Sequence, residues 1–204
     1  MQTVFRVASH SHALWKVPNR RPARFHSLGD PPTQYASLHP LTAWAEIVRN
    51  SGASRNELRP DAITERVWAL RLELDGLLKL DLENANSFGL SAEQLVSDDQ
   101  TACRDLGRRL RRDGHTGVIF PSSALPGTFS ICLFGERYEA PYLADPVATV
   151  DIPAAAAAER AGPLAALIAL VRLRGEPHAG LDAFERGESF RFAEPDMGFT
   201  TGVR

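Results

Sequence analysis

Only two of the 204 residues are cysteine, Cys103 and Cys132. They form no CxxC pair, which excludes a disulfide framework and a cysteine-rich zinc site and fits a reducing cytoplasm. Neither sign of charge dominates. Twenty-three Lys and Arg against 25 Asp and Glu leave a formal net charge of −2, so no global basic field draws nucleic acid. No apolar run approaches the roughly 18 residues that span a bilayer. The longest candidate, residues 154–173, is broken by Glu159, Arg160, Gly162, Pro163 and Arg172. The opening MQTVFRVASHSHALWK has no charged stretch followed by a continuous apolar one, so it does not read as a secretory signal. A soluble, cytoplasmic protein is expected.

The motifs of several common chemistries are missing as well. There is no Gly-rich phosphate loop, and the six histidines form no HExxH. Ser122 and Ser123 follow Pro121 without a G-x-S-x-G around them, which excludes a hydrolase nucleophile elbow. His10-x-His12 has ligand spacing, but an exposed pair reads the same, and no metal site is predicted. The arginine-rich run 104–112 reads as a solvated helix face rather than a nucleic-acid contact.

What is present is a mixture of strand and helix signals with 44% hydrophobic residues and no internal repeat. Residues 4–7 and 33–37 read as short strands, the first with Arg6 inside it. Residues 16–34 are rich in Pro, Arg and Gly and read as loop. Pro40 sets up a helix over residues 41–50, with Gly52 beyond its end. Residues 63–74 (ITERVWALRLEL) alternate with period two, placing Trp68, Leu70 and Leu72 on one side of a strand. A short extended segment follows at 77–82. Ser91-x-x-Gln94 has capping-box spacing, and Asp98 and Asp99 lead a helix to about Arg112, stopped by Gly114. Strands are predicted from Gly117 and over residues 129–134, around a Leu-Pro-Gly turn. Residues 153–173 are predicted as one helix, kinked or divided near Gly162-Pro163. The last thirty or so residues carry no assignable pattern. The order suggests an α+β fold, a single mixed domain over residues 1–150 with a helical extension, 151–204, packed on it.

Residues 20–50 hold the sharpest chemistry: Arg24-Phe25, Tyr35, and Glu46 on an otherwise apolar helix of Ala, Trp, Ile and Val. A carboxylate alone on such a face needs a partner or a task. On residues alone, a structural ion pair and a small anion-and-sugar site stand level. Arg6 in its apolar strand is likewise an edge residue or a buried anion ligand, and Ser122 sits where a hydroxyl at a strand end reaches a cleft.

These pieces, taken in order from Val4 to about Phe134, resemble the RES domain, a family named for its Arg, Glu and Ser. The resemblance rests on the FRV strand with Arg6, Arg24-Phe25, Tyr35-x-Ser37, the P-x-T-A-x-x-E tract from Pro40 to Glu46, and the LDL segment. It continues through the acid-and-leucine helix pair and GVIFPSS to a strand ending Leu133-Phe134. Ala23 and His26 depart from the family, which often has Gly before the arginine and Asn or Asp after the aromatic.

The resemblance implies a fold similar to the ADP-ribosyltransferase toxins, and the toxin of a type II toxin–antitoxin pair restrained by an Xre-type helix-turn-helix antitoxin. It implies NAD⁺ as substrate rather than cofactor, cleaved at the nicotinamide–ribose bond by phosphorolysis or hydrolysis, with inorganic phosphate as a candidate co-substrate. A mono-ADP-ribosyltransferase, or a non-catalytic partner-binding protein of the same fold, are the alternatives. Bond cleavage leaves an oxocarbenium-like ribosyl centre, which a carboxylate stabilises; Glu46 takes that role. Arg6 and Arg24 are expected to grip phosphate groups, Tyr35 to stack on the substrate, and Ser122 and His26 to contact it. No direct contact with nucleic acid or membrane is expected, and self-association or assembly with the antitoxin is left open.

Overall fold

Alternation of side chains along the strands decides which residues meet across a single mixed sheet. The computed structural model describes residues 2–8, 19–58, 64–135, 148–153 and 164–195. Strand β1 (Gln2–Ala8) pairs with β3 (Thr64–Leu72) along its whole length, from Gln2 opposite Leu72 to Ala8 opposite Arg66. β7 (Ala148–Pro153) lies on the outer side of β3. β2 (Thr33–Ser37) pairs with β6 (Phe129–Phe134), β6 with β5 (Gly117–Pro121), and β5 with the short β4 (Leu78–Lys79) in the one parallel pairing among these strands. The order is β4-β5-β6-β2-β1-β3-β7. The two halves join through β1 and β2, which share a single register pair, Phe5 with Ser37.

One sheet face buries Val4, Ala36, Trp68, Leu70, Leu72, Ile131 and Leu133 in a common cluster. The opposite face carries Tyr35, Val118, Phe120 and Cys132. These pack with α2 (Ala92–Val96) and α3 (Thr101–Arg112) through Leu95, Cys103, Leu106 and Leu110. A third cluster joins α1 (Pro40–Asn50) to Val7, Leu125 and α4 (Leu164–Leu170), which is where the C-terminal region meets the rest of the fold.

Local chemistry explains the boundaries. Pro40 occupies the first turn of α1, and His39 caps it, Nδ1 accepting from Leu41 N–H at 3.2 Å. The expected capping box forms: Gln94 N–H donates to Ser91 Oγ, and Ser91 N–H to Gln94 Oε1. Asp99 accepts from the Thr101 N–H at the start of α3.

Two expectations need correction. Pro153 ends β7 opposite Thr64 instead of starting a helix; at an outer strand its missing N–H costs no ladder bond. Residues 154–163 lie outside the described residues, as do Ile63, His10 and His12, and the described helix begins at Leu164. The unassigned tail contains α5 (Ala179–Glu185), capped by His178, whose Nδ1 accepts from Leu181 N–H at 3.0 Å. Finally, the arginines of α3 are not all solvated. Arg111 turns inward, donating to the Phe25 carbonyl and Thr33 Oγ1, pairing with Asp30 at 3.3 Å and lying over the Phe134 ring.

The buried stripe of α3 includes Gly107, which lets the helix lie against the Arg24–His26 loop. A Cβ there would press into the Phe25 carbonyl oxygen and sit 2.9 Å from the carbonyl carbon, and backbone cannot rotate aside. Gly107→Ala is therefore expected to destabilise by about 1–3 kcal/mol. Thermal unfolding should show this as a drop of several degrees, whereas an unchanged or raised Tm would mean the helix is not seated as described.

Candidate active site

A cleft of about 420 Å³ opens where β1 and β2 part beyond their single pairing, in the size range of small-molecule sites. Its floor is sheet: Ser37 of β2, Phe120 of β5 and Ser130 of β6. One wall is the face of α1 that carries Ala43, Glu46, Ile47 and Asn50, spaced as one helical stripe. The loop at 21–24 forms another wall, and Phe5 to Val7 the strand edge.

Glu46 is the sole carboxylate among the described lining residues. Ser122 donates to its Oε1 at 3.0 Å, while Ser122 Oγ accepts the N–H groups of Ala124 and Leu125 at 3.1 and 3.2 Å. The serine is fully buried behind the carboxylate and is not part of the lining. It fixes where Glu46 points.

Five arginines, 6, 21, 24, 49 and 174, line the same cleft. Arg6 is buried and donates to Gln34 Oε1 at 2.6 Å; burial lowers its pKa to about 9, which still leaves it protonated at neutral pH. Arg24 is also buried, and its donors are committed. Nη1 bonds the Leu95 carbonyl at 2.9 Å, and Nη2 bonds the Ser97 carbonyl at 2.9 Å and Ser123 Oγ. Its charge faces the cleft while its hydrogen bonds hold the end of α2.

Arg49 donates to the Arg172 carbonyl at 2.8 Å and pairs with Asp98. Asp98 also takes Arg172 at 3.3 Å and the Gly175 N–H at 2.6 Å. Burial acts to raise the Asp98 carboxyl, but the Gly175 N–H and the two guanidiniums outweigh it and hold its pKa below the ordinary value. Through this junction the region after α4 brings Arg174 to the rim, where it donates to Asn50 Oδ1 at 3.1 Å.

Tyr35 lines the cleft with its ring, while its hydroxyl points into the fold. It accepts the Phe25 N–H and contacts His26 Nδ1, both at 3.0 Å. Burial, with Cys132 adding to it, keeps the phenol neutral by raising its pKa well above the ordinary value. His26 lies outside the lining, with Nε2 at 2.8 Å from the Arg21 carbonyl. A carbonyl only accepts, so Nε2 carries the hydrogen and Nδ1 accepts from Tyr35. The pair thus pins the loop that presents Arg21 and Arg24.

The structure therefore places Arg6, Arg24, Tyr35 and Glu46 on one cleft, Ser122 behind Glu46, and His26 behind the loop. Arg21, Arg49, Ser123, Ser130 and Arg174 were not foreseen. Arg49, three residues after Glu46 on the same helix, is the one that spacing could have revealed. Among the described residues no group of three or more His, Cys, Asp or Glu is arranged to hold a metal, and no helix is long and apolar enough to cross a membrane.

Burial lowers the His26 pKa, in spite of the Arg21 carbonyl, and Arg111 lowers it further; His178 is lowered by burial too. The unfolded chain then binds protons that the folded chain resists, so stability falls as pH drops below the ordinary histidine value of about 6.5 and levels off once the folded histidines also protonate. Tm measured from pH 8 to 5 should decline, and His26→Gln should flatten that decline without abolishing it. An unaltered slope in the variant would contradict the buried neutral imidazole.

Known proteins of related sequence or fold bear on this cleft. A protein of Mycobacterium tuberculosis named as a probable NAD⁺ phosphorylase is 30% identical over 117 residues, 57% of this chain and 55% of its own length. The chain thus aligns with about half the length of that relative. The crystal structure of the M. tuberculosis MbcT–MbcA toxin–antitoxin complex contains a chain of the same fold. It matches with a TM-score of 0.61 at 19% identity, covering 76% of this chain and 85% of that one. Residues 3–156 match the RES domain across β1 to β7, and with Arg6, Arg24 and Glu46 gathered at one cleft the chain belongs to the RES domain family.

Proposed function

We propose that the protein is an NAD⁺-degrading toxin that cleaves the nicotinamide–ribose bond, with inorganic phosphate as the preferred acceptor. The observation that carries this reading is the cleft's makeup: one oriented carboxylate, Glu46, among five arginines. NAD⁺ pairs a cationic pyridinium ribosyl centre with an anionic pyrophosphate, and the cleft offers the complement of each.

As the C–N bond breaks, its electron pair leaves with nicotinamide, neutralising the pyridinium, and positive charge builds on the ribose. Ser122 holds Glu46 by Oε1, so the carboxylate meets that charge without reorganising. Its Oε2 would accept a ribose hydroxyl. Arg6 supplies a buried cation for the pyrophosphate, and Arg21 and Arg174 lie at the rim for the same purpose. Tyr35 contributes its ring face, since its hydroxyl is engaged elsewhere. An incoming phosphate oxygen then bonds the ribosyl carbon, giving ADP-ribose-1″-phosphate; water in its place would give ADP-ribose and a released proton. The surplus of arginine, together with the name of the M. tuberculosis relative, favours phosphate.

The toxin–antitoxin neighbour supports a protein partner that restrains the enzyme, and we take it to be an Xre-type antitoxin acting in the cytoplasm. The two half-sheets meeting at one register pair, with the cleft at the join, support kinship with the ADP-ribosyltransferase fold.

Nicotinamide release from NAD⁺, followed by chromatography with and without phosphate, tests the proposal. Phosphate should accelerate wild-type turnover. Glu46→Gln, which keeps the shape and removes the charge, should lose about 10²–10³-fold. Retained turnover in that variant would remove Glu46 from the mechanism. Arg24→Lys, unable to fork between the two carbonyls, should lower Tm as well as turnover; an unchanged Tm would show that its clamp does not hold the fold.

A further inference from the structure

The cleft floor contains a polar atom that neither the family resemblance nor the mechanism above uses. Ser130 is 4% exposed, and its Oγ has no hydrogen-bond partner among the described residues. It sits in β6 between Ser37 of β2 and Phe120 of β5, in register with both. All three line the cleft beneath α1. Strand alternation puts Ser130 on the same sheet face as Cys132 and Phe120, so the hydroxyl looks toward the cleft and away from the Ile131 and Leu133 side.

A buried hydroxyl left unsatisfied is costly, and native proteins keep few of them. The neighbouring cleft hydroxyl, on Ser123, accepts from Arg24, and Ser122 serves Glu46 and two backbone amides. Ser130 has no such structural work. On the floor itself its neighbours Ser37 and Phe120 are neutral, as is Ala43 of α1; the charges of the cleft come from Glu46 and Arg49 of α1, Arg6 of β1, the loop at 21–24 and Arg174 at the rim. A neutral floor of aromatic ring and hydroxyl suits a flat ring bearing a neutral hydrogen-bonding group.

We propose that Ser130 is a substrate-binding residue, and that its hydroxyl takes the carboxamide of the nicotinamide ring, with Phe120 beneath. A serine hydroxyl donates and accepts, so it can meet either the amide oxygen or the amide nitrogen. This rests on NAD⁺ being the substrate, and it puts the leaving group on the floor and the pyrophosphate among the arginines.

Ser130→Ala tests it with two readouts that separate binding from folding. Because the hydroxyl has no partner among the described residues, its removal should leave Tm unchanged or raised. In steady-state assays the variant should show KM for NAD⁺ and the inhibition constant of nicotinamide each raised about tenfold, with inhibition by ADP-ribose unchanged. A tenfold change corresponds to about 1.4 kcal/mol, the scale of one hydrogen bond. Ser130→Cys, which keeps the volume but bonds weakly, should repeat the loss. An unchanged KM, an equal loss for ADP-ribose, or a lowered Tm without a change in nicotinamide inhibition would each overturn the assignment. A wild type that neither consumes NAD⁺ nor binds ADP-ribose would instead overturn the functional reading, and this one with it.

Discussion

The buried guanidinium of Arg24 is the constraint on which the site depends. A cation removed from water must be satisfied by oriented dipoles or a counter-ion. Here the partners are the Leu95 and Ser97 carbonyls, at and beyond the end of α2, together with Ser123 Oγ. Helix ends leave carbonyls without donors and carry partial negative charge, so each side answers the other's need. No carboxylate joins them among the described residues, and the charge is solvated without being cancelled. The cleft thereby keeps its positive character.

The surrounding framework holds that arrangement from three directions. Arg111 from α3 grips the Phe25 carbonyl, Tyr35 and His26 lock the loop from behind, and Gly107 lets α3 come close enough for both. On the far wall, the Asp98 junction ties α1 to the region after α4, so residues outside the matched RES domain shape its cleft. Glu46 stands between these walls, oriented by Ser122, which is buried behind it and is not among the residues that line the cleft.

Much of this was legible in sequence, and the gaps have physical reasons. Alternation marked β3, short strand-like runs marked β1, β2, β5 and β6, and the capping box marked α2, because those signals are local. The cleft's polar members were partly legible: a lone glutamate on an apolar helical face stands out, and so does an arginine inside an apolar strand. The roles of Ser122, Tyr35 and His26 were not, since a hydroxyl or imidazole gives no hint of which way it points until the partner 76 or 9 positions away is placed. Ser130 was silent for the same reason, being an ordinary alternating residue in a strand. Pro153 misled because a proline before an alanine-rich stretch reads as a helix start, while its pairing with Thr64 is a long-range fact.

The central claim is that this cleft transfers the ADP-ribosyl group of NAD⁺ to phosphate. Phosphorus NMR of the purified protein mixed with NAD⁺ and inorganic phosphate tests it most directly. The account predicts loss of the NAD⁺ resonances and growth of a new sugar-phosphate signal alongside a retained pyrophosphate pair. Intact NAD⁺ after prolonged incubation with the purified protein would contradict it.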